Sequence, residues 1–190
     1  MPNFGYESVG GSYQSCYKRI SGSVFTCLED GIADSISAYG WFNGFFHKVA
    51  IYKHSDLSLV GETESARVYG SGWGVFNFVD PKPSLTADTE YILVLWTSGS
   101  NTRIYYTAGD ADQGHYQSKT YTAFPNPLVP IHEDRKYSIY CTYTPSAPPE
   151  GWRKLQYFSE PPTGGAFNKL KFASEPPVAA SWNKILYAGE

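Results

Sequence analysis

Turn-forming residues divide the first 144 residues into short apolar segments, and this punctuation limits what the chain can fold into. The segments follow one another about every 8–12 residues, which is the strand spacing of sandwiches and barrels. No window shows the period of about 3.6 residues expected of an amphipathic helix. The sequence therefore predicts an all-β domain over residues 1–144, an antiparallel jelly-roll-like sandwich of about eight strands.

The middle of this domain shows how the strands are expected to divide. The apolar run Tyr91–Trp96 predicts a buried strand. Ile32–Tyr39 alternates weakly and is expected to stop at Gly40, while His47–Tyr52 predicts a separate core strand. The residues between them, Trp41–Phe46, are therefore expected to lie around a turn.

The amino-acid composition indicates which class of protein this is and which partners it argues against. Charged residues make up 17% of the chain, below the roughly 25% that is typical, and 16 tyrosines accompany 18 glycines and 13 prolines. This balance is typical of β-sandwiches and surface-exposed binding proteins. A net charge of -3 with no basic run argues against nucleic acid, and no apolar stretch reaches the ~18 residues of a membrane span. The start shows no signal peptide, so export inside a virus particle is one route to the outside.

The three cysteines leave at least one thiol unpaired. Cys16 and Cys27 are candidates for a disulfide across adjacent strands, but three reduced, buried thiols is the interpretation we favour.

Catalysis and metal binding receive little support from the sequence. The four histidines fall in different segments, and neither Gly-x-Ser-x-Gly nor His-Glu-x-x-His occurs, so a non-enzymatic protein with no cofactor is expected. Asp110 and Asp112 place carboxylates two residues apart, as calcium loops do, and Asp30 with Asp34 is a second candidate Ca2+ position. The alternative is that Asp and Gly serve the turn at 110–114.

Two groups of aromatic residues are candidate contact surfaces for a glycan or a partner protein, since sugar rings stack on flat aromatic side chains. The first group is Trp41, Phe42, Phe45 and Phe46, and the second is Tyr105, Tyr116 and Tyr121. The alternative is that alternation sends half of each group into the core. The first group equally fits a subunit interface.

A proline-rich linker, residues 145–151, precedes a tail in which one pattern recurs every 15 residues, at Trp152, Phe167 and Trp182. Each copy has an aromatic, an aliphatic and a second aromatic residue, and Pro-Pro ends the first two copies. Such short units cannot bury their own apolar face, so residues 152–190 predict a three-repeat β tail that packs on copies, on the preceding domain or on other subunits. A homo-oligomer, with a trimer favoured, is expected. The expected assembly residues are Trp152, Leu155, Tyr157, Phe167, Leu170, Phe172, Trp182, Ile185 and Tyr187.

Two resemblances accompany these patterns. The proline-punctuated repeats resemble the shafts of viral fibres. The order of segments over residues 20–144 is similar to jelly-roll modules of the carbohydrate-binding type, which recur in secreted, cell-surface and phage virion proteins. The segments that carry it are Phe25-Thr26, Glu29–Ser37, Lys48–Tyr52, Leu59–Thr63, Gly72-Trp73, Phe76–Phe78, Leu85–Tyr91 and Lys136–Tyr140. The resemblance implies a non-catalytic sandwich.

Together these observations lead us to expect a non-enzymatic structural or adhesion protein at the surface of a virion or outside the cell. A tail-fibre, head-fibre or decoration subunit that assembles through its C-terminal repeats is the concrete form. The alternative is a soluble carbohydrate-binding module of a secreted glycan-active protein.

Overall fold

Thirteen strands with antiparallel pairing account for most of residues 1–146, the part of the chain that the computed structural model describes. They are β1 (Asn3–Gly5), β2 (Ser12–Ser15), β3 (Arg19–Cys27), β4 (Gly31–Lys53), β5 (Leu59–Glu62), β6 (Ala66–Asn77), β7 (Ser84–Leu85), β8 (Thr89–Thr97), β9 (Arg103–Ala108), β10 (Gly114–Ser118), β11 (Ile131–Glu133), β12 (Arg135–Tyr137) and β13 (Ile139–Pro145). No helix occurs among residues 1–146, so the all-β prediction is confirmed, with more strands than expected.

Strand β4 runs for 23 residues and connects the two halves of the sheet. Its first half lies between β13 and β6, and its second half pairs with β8 on one side and with β5 on the other. From β8 the sheet continues through β3 and β10 to β11. Two expected strands and the turn between them are thus one continuous strand.

Gly40 does not end a strand, contrary to the prediction. A Cβ atom at this position would lie 2.5 Å from the carbonyl oxygen of Arg103 and 2.9 Å from the ring of Phe42. Glycine is therefore needed because the backbone of β9 and an aromatic ring approach closely, which is the other common reason for glycine inside a strand.

The direction of β4 changes at a bulge instead. The register with β6 shifts between Asn43 and Phe46, and Gly44 takes a φ of +79°. A side chain there would also meet the ring of Tyr69 at 2.2 Å. Since glycine adopts positive φ without steric cost, this residue lets one strand serve both halves.

The main core lies where the two halves face each other. Both halves of β4 contribute to it, which requires the strand to bend back over itself. The first half of the sheet (β13, the start of β4, and β6) supplies buried core residues that include Ile36, Ala38, Phe42, Phe76, Ile139 and Cys141. The second half (the end of β4, and β8) supplies core residues that include Val49, Ile51, Leu93 and Leu95.

A second core covers the opposite side of β8. Tyr91, Leu93 and Leu95 face the main core, whereas Ile92, Val94 and Trp96 face the second. The segment 119–130 closes this second core with two buried side chains, Phe124 and Leu128. The hydroxyl of Tyr52 donates a hydrogen bond of 2.8 Å to the carbonyl of Pro125 beside it. Strand β8 is thus buried on both faces, as predicted for Tyr91–Trp96.

The covering segment also contacts a buried charge, that of Lys48. Its Nζ atom lies 3.0 Å from a carboxylate oxygen of Glu62 and 4.6 Å from the ring centre of Phe124. The rings of Trp96 and Tyr121 lie 5.4 and 5.5 Å away. An ion pair and aromatic faces together compensate a buried ammonium group, and they connect the segment to β4.

The structure also bears on the predictions for the cysteines and for the chain after the β domain. Cys16, Cys27 and Cys141 are all buried and unpaired, as favoured. Strand β13 extends to Pro145, so the compact unit ends at Ser146 and includes the start of the expected linker. The remaining linker residues, the β tail over 152–190 and its assembly residues lie outside the described residues.

We predict that Phe124→Ala lowers the free energy of unfolding by about 3–5 kcal/mol, because truncation opens a cavity beside Trp96 and Tyr52. Thr122→Ala, in the same segment but exposed, serves as the control and should change it by about 0.5 kcal/mol or less. Denaturant unfolding of the three proteins measures both values. Equal stability of the two variants would contradict a packed second core.

Candidate functional site

The pleat of β4 sends neighbouring aromatic residues to opposite faces. Phe42 is 2% exposed and belongs to the main core, whereas Trp41 is 49% exposed. The Phe42 ring contacts Gly40 and approaches Gly74, and its centre lies 5.1 Å from that of His47. Phe42 was expected in the contact surface, and this prediction is wrong because alternation places it inside.

Cross-strand pairing surrounds Trp41 with other large side chains. Its partner in β9 is Arg103, and Tyr39, two residues earlier on the same face, pairs with Trp73 in β6. In the next strand pair, Tyr105 of β9 lies opposite Tyr13 of β2. Residues of β2, β4, β6 and β9 therefore contribute to a single outer surface.

The rings form a continuous chain of contacts across this surface. We define the aromatic face by the residues Tyr13, Tyr39, Trp41, Trp73, Arg103, Tyr105 and Tyr140. The ring centre of Trp73 lies 5.0 Å from that of Tyr140 and 5.5 Å from that of Tyr39. Tyr105 lies 5.2 Å from Tyr39 and 5.9 Å from Tyr13. Most of these pairs meet edge to face, an arrangement that aromatic quadrupoles favour and that holds the rings in place.

The two most exposed rings of the face border Arg103. Tyr13 is 51% exposed, and the guanidinium carbon of Arg103 lies 4.3 Å from its ring centre. Trp41 is the cross-strand partner of Arg103 on the other side. The aromatic face thus offers two open rings with a cation between them.

Phe45 and Phe46 lie elsewhere, beyond the bulge. Phe45 covers Gly99, where a Cβ atom would fall 1.9 Å from its ring, and Phe46 lies 4.5 Å beneath the guanidinium of Arg67. They are 42% and 43% exposed. Both remain accessible, so the first predicted group divides into one residue on the aromatic face, one in the core and two at the bulge.

The second predicted group is not one surface. Tyr105 belongs to the aromatic face. Tyr116 of β10 instead stacks under Arg19 at 3.3 Å, and Arg19 forms an ion pair of 2.8 Å with Glu133. Tyr121 packs against Trp96 in the second core and shares a hydrogen bond with Ser65.

Sequence reasoning missed five members of the aromatic face, namely Tyr13, Tyr39, Trp73, Arg103 and Tyr140. Tyr39 and Trp41 are two residues apart, so the alternation was a usable signal once β4 is recognised as continuous. The others are brought in by strand register, which a single sequence does not display.

The predicted calcium positions have other roles in the described structure. Asp110 and Asp112 lie in a turn in which Asp112 donates its backbone N–H to a carboxylate oxygen of Asp134. Asp34 binds Lys82 at 2.7 Å, and Asp30 accepts the backbone N–H of Ala87. Within residues 1–146, no three side chains among His, Cys, Asp and Glu are placed to hold a metal ion.

Three histidines that are distant in sequence come together on the other half of the sheet. The ring centre of His115 lies 5.4 Å from that of His54 and 4.6 Å from that of His132. His54 also contacts Glu90 at 2.8 Å, and His54, Glu90 and His132 border a cleft of about 590 Å³. Burial, supported by the neighbouring imidazoles, lowers the pKa of His115 to about 4.

The cysteine thiols are poorly suited to nucleophilic chemistry. Burial raises the pKa of Cys16 to about 12 and also raises the pKa values of Cys27 and Cys141. Because the thiolate is the reactive form, these thiols stay protonated and unreactive near neutral pH.

Comparison with known proteins adds no assignment. No protein-family model matches the sequence, and no curated protein is similar to it. The antiparallel β architecture is compatible with the expected sandwich. Among residues 1–146 there is no helix with the length and apolar character needed to cross a membrane.

We predict opposite outcomes for two adjacent truncations in β4. Phe42→Ala should cost about 3–5 kcal/mol of unfolding free energy, since it empties a core position. Trp41→Ala should cost about 1 kcal/mol or less, because half of that side chain already faces solvent. Thermal unfolding of both variants beside the parent protein checks this, and a Trp41 variant as unstable as the Phe42 variant would place Trp41 in the core.

We also predict a loss of stability in mild acid. Burial lowers the pKa values of His47 and His115 from 6.5 to about 4, so the unfolded chain binds two protons that the folded chain does not. This contribution is fully present above pH 6.5 and is lost as the pH falls towards 4. The pKa of Asp34 is lowered by Lys82, so its contribution is lost only at still lower pH.

Urea unfolding between pH 4.5 and 7.5 measures this dependence. The slope of the free energy against pH should approach two protons, and His115→Gln or His47→Gln should each reduce it by about one. A slope that neither variant changes would show that these imidazoles are not the source.

Proposed function

We propose that this chain is a non-enzymatic adhesion protein whose β domain binds carbohydrate through the aromatic face. The observation that carries the proposal is the row of contacting rings on one side of the sheet, which runs from Tyr140 through Trp73, Tyr39 and Tyr105 to Tyr13. Tyr13 is exposed and the other four rings are partly exposed. The apolar faces of sugar rings stack on such side chains, while adjacent polar groups take up their hydroxyls.

Rigidity supports this use of the face. The edge-to-face contacts hold Tyr39 against both Trp73 and Tyr105, so little side-chain freedom is lost when a ligand binds. The rings stand on paired strands rather than on loops, which is the more accurate way to position a contact surface. Trp41 and Tyr13 provide the exposed area that stacking requires.

The non-enzymatic part of the proposal is supported by the state of the reactive side chains. The three thiols are buried with raised pKa values, and His47 and His115 are buried and neutral near neutral pH. The two half-exposed rings of the aromatic face, Trp41 and Tyr13, suit recognition of a polymer more than its cleavage.

Affinity electrophoresis tests the glycan site. We predict that native gels containing neutral polysaccharides, among them dextran, xylan and galactan, include at least one that retards the protein. Trp41→Ala should weaken that retention about tenfold or more, as a stacking residue at the centre of a contact surface does. Val129→Ala removes an exposed apolar side chain from the covering segment and should change nothing. Failure of every polysaccharide, neutral or acidic, to retard the parent protein would reject the proposal.

The C-terminal repeats favour a second role, in assembly. Three copies in register at positions 152, 167 and 182 carry apolar residues that one copy cannot bury by itself. We propose that the tail mounts the β domain in an oligomer, with a trimer favoured, and that a virion surface component such as a fibre or decoration subunit is its concrete form. An extracellular or virion-surface location belongs to the same proposal.

Deleting residues 151–190 separates the two roles. The compact unit ends at Ser146, so we predict a folded, soluble β domain that keeps its glycan retention and loses its oligomeric mass. Light scattering at micromolar concentration measures that mass. A truncated protein with the oligomeric state of the full chain would show that the tail does not drive assembly.

A further inference from the structure

Arg103 differs from the other arginines of the described chain in having no acceptor. Arg19 and Arg135 both form ion pairs with Glu133, at 2.8 and 3.1 Å, and Arg67 donates to the carbonyl of Gly44. Within residues 1–146, no carboxylate lies at ion-pair distance from Arg103, and its guanidinium donates no hydrogen bond. Its position is held by stacking on Tyr13, at 4.3 Å.

The charge around Arg103 is opposite in sign to that of the whole protein. The chain carries a net charge of -3. Lys136 pairs with Thr107 of β9, which lies on the same side of that strand as Arg103. The residues of β4, β6 and β9 that share the side of the sheet with the aromatic face include no Asp or Glu. In β4 they are Ser35, Ser37, Tyr39, Trp41 and Asn43, in β6 Ser71, Trp73, Val75 and Asn77, and in β9 Arg103, Tyr105 and Thr107.

The carboxylate next to this series is already neutralised. Asp34, one residue before Ser35, lies 2.7 Å from the ammonium group of Lys82. It also accepts a hydrogen bond of 2.7 Å from Thr144. Asp34 is thus already paired, and it does not lie at ion-pair distance from Arg103.

We propose that the aromatic face selects acidic polysaccharide, with Arg103 binding the carboxylate of a uronic acid unit whose ring stacks on Trp41. This inference rests on the proposed glycan-binding function and adds its ligand class. A guanidinium presents parallel N–H groups that match the two oxygens of a carboxylate. Trp41 lies opposite Arg103 in β4, and Tyr13 lies in β2 two residues along from the position opposite Arg103, so their backbones are about 12 Å apart. That spacing lets the two rings contact different sugars of one chain, with the cation between them.

The test uses one polymer in two charge states. Polygalacturonate and its methyl ester have the same sugar rings, but only the first carries carboxylates. We predict that affinity gels with polygalacturonate retard the full-length protein at least tenfold more strongly than gels with the ester. Arg103→Gln should remove most of that difference and leave retention by the ester unchanged, whereas Trp41→Ala should weaken both.

Lys53→Gln is the matched control. It removes one positive charge from an exposed residue at the end of β4, away from the aromatic face, and should change retention by polygalacturonate less than twofold. If Arg103→Gln and Lys53→Gln weaken retention equally, the attraction depends only on the net charge of the protein, and the inference is overturned. Raising the salt concentration should weaken retention by polygalacturonate and not by the ester.

The remaining outcomes distinguish failure of this inference from failure of the proposed glycan-binding function. Equal retention by polygalacturonate and its ester would overturn the acidic preference and leave glycan binding intact. Retention by no polysaccharide would reject both. If Trp41→Ala lowers the molar mass of residues 1–146 in light scattering, the face is an interface between copies, and the inference also fails.

Discussion

Both edges of β4 must be paired along nearly its whole length, and the rest of the β domain is arranged around this requirement. An unpaired backbone N–H or C=O in a buried strand is costly, so a strand that crosses the core needs neighbours on each side in both halves. Strands β13 and β6 serve the first half, and β8 with β5 serves the second. The bulge at Gly44 makes this possible, because it turns the strand without ending its pairing. The aromatic face and the main core are thus the two sides of the same stretch of β4.

Much of the fold follows from the sequence because it depends on local patterns. Tyr91–Trp96 is apolar throughout, and its burial on both faces follows from that composition alone. Gly40 shows the limit of such reasoning. Glycine is needed both in turns and where another backbone approaches closely, and the presence of a glycine in the sequence does not distinguish the two. Only the carbonyl of Arg103, brought near by β9, decides between them.

The aromatic face was predictable only in part. A single sequence does not show which residues of a strand point outward, nor which residues of neighbouring strands lie side by side. Trp41 was found because four aromatic residues cluster in sequence, but Phe42 was included wrongly, since the phase of the alternation depends on where the strand begins. Trp73 and Tyr140 reach the face from β6 and β13, and nothing in their own segments indicates that they meet. Tyr116 and Tyr121 are close in sequence yet lie in different environments, because β10 ends between them at Ser118.

The segment 119–130 has a consequence for binding strength. It covers the outer side of β8 with Phe124 and Leu128, so that side of the sheet is buried in the second core and is not exposed for binding. Within residues 1–146 the proposed glycan site then lies on one side of the β domain, and it would hold one stretch of polymer per copy. A shallow, one-sided contact releases its ligand readily, so durable attachment depends on several copies engaging one polymer at high effective concentration. Under the proposed function, the number of copies that bind one polymer, rather than a deeper pocket, would set how firmly the protein adheres.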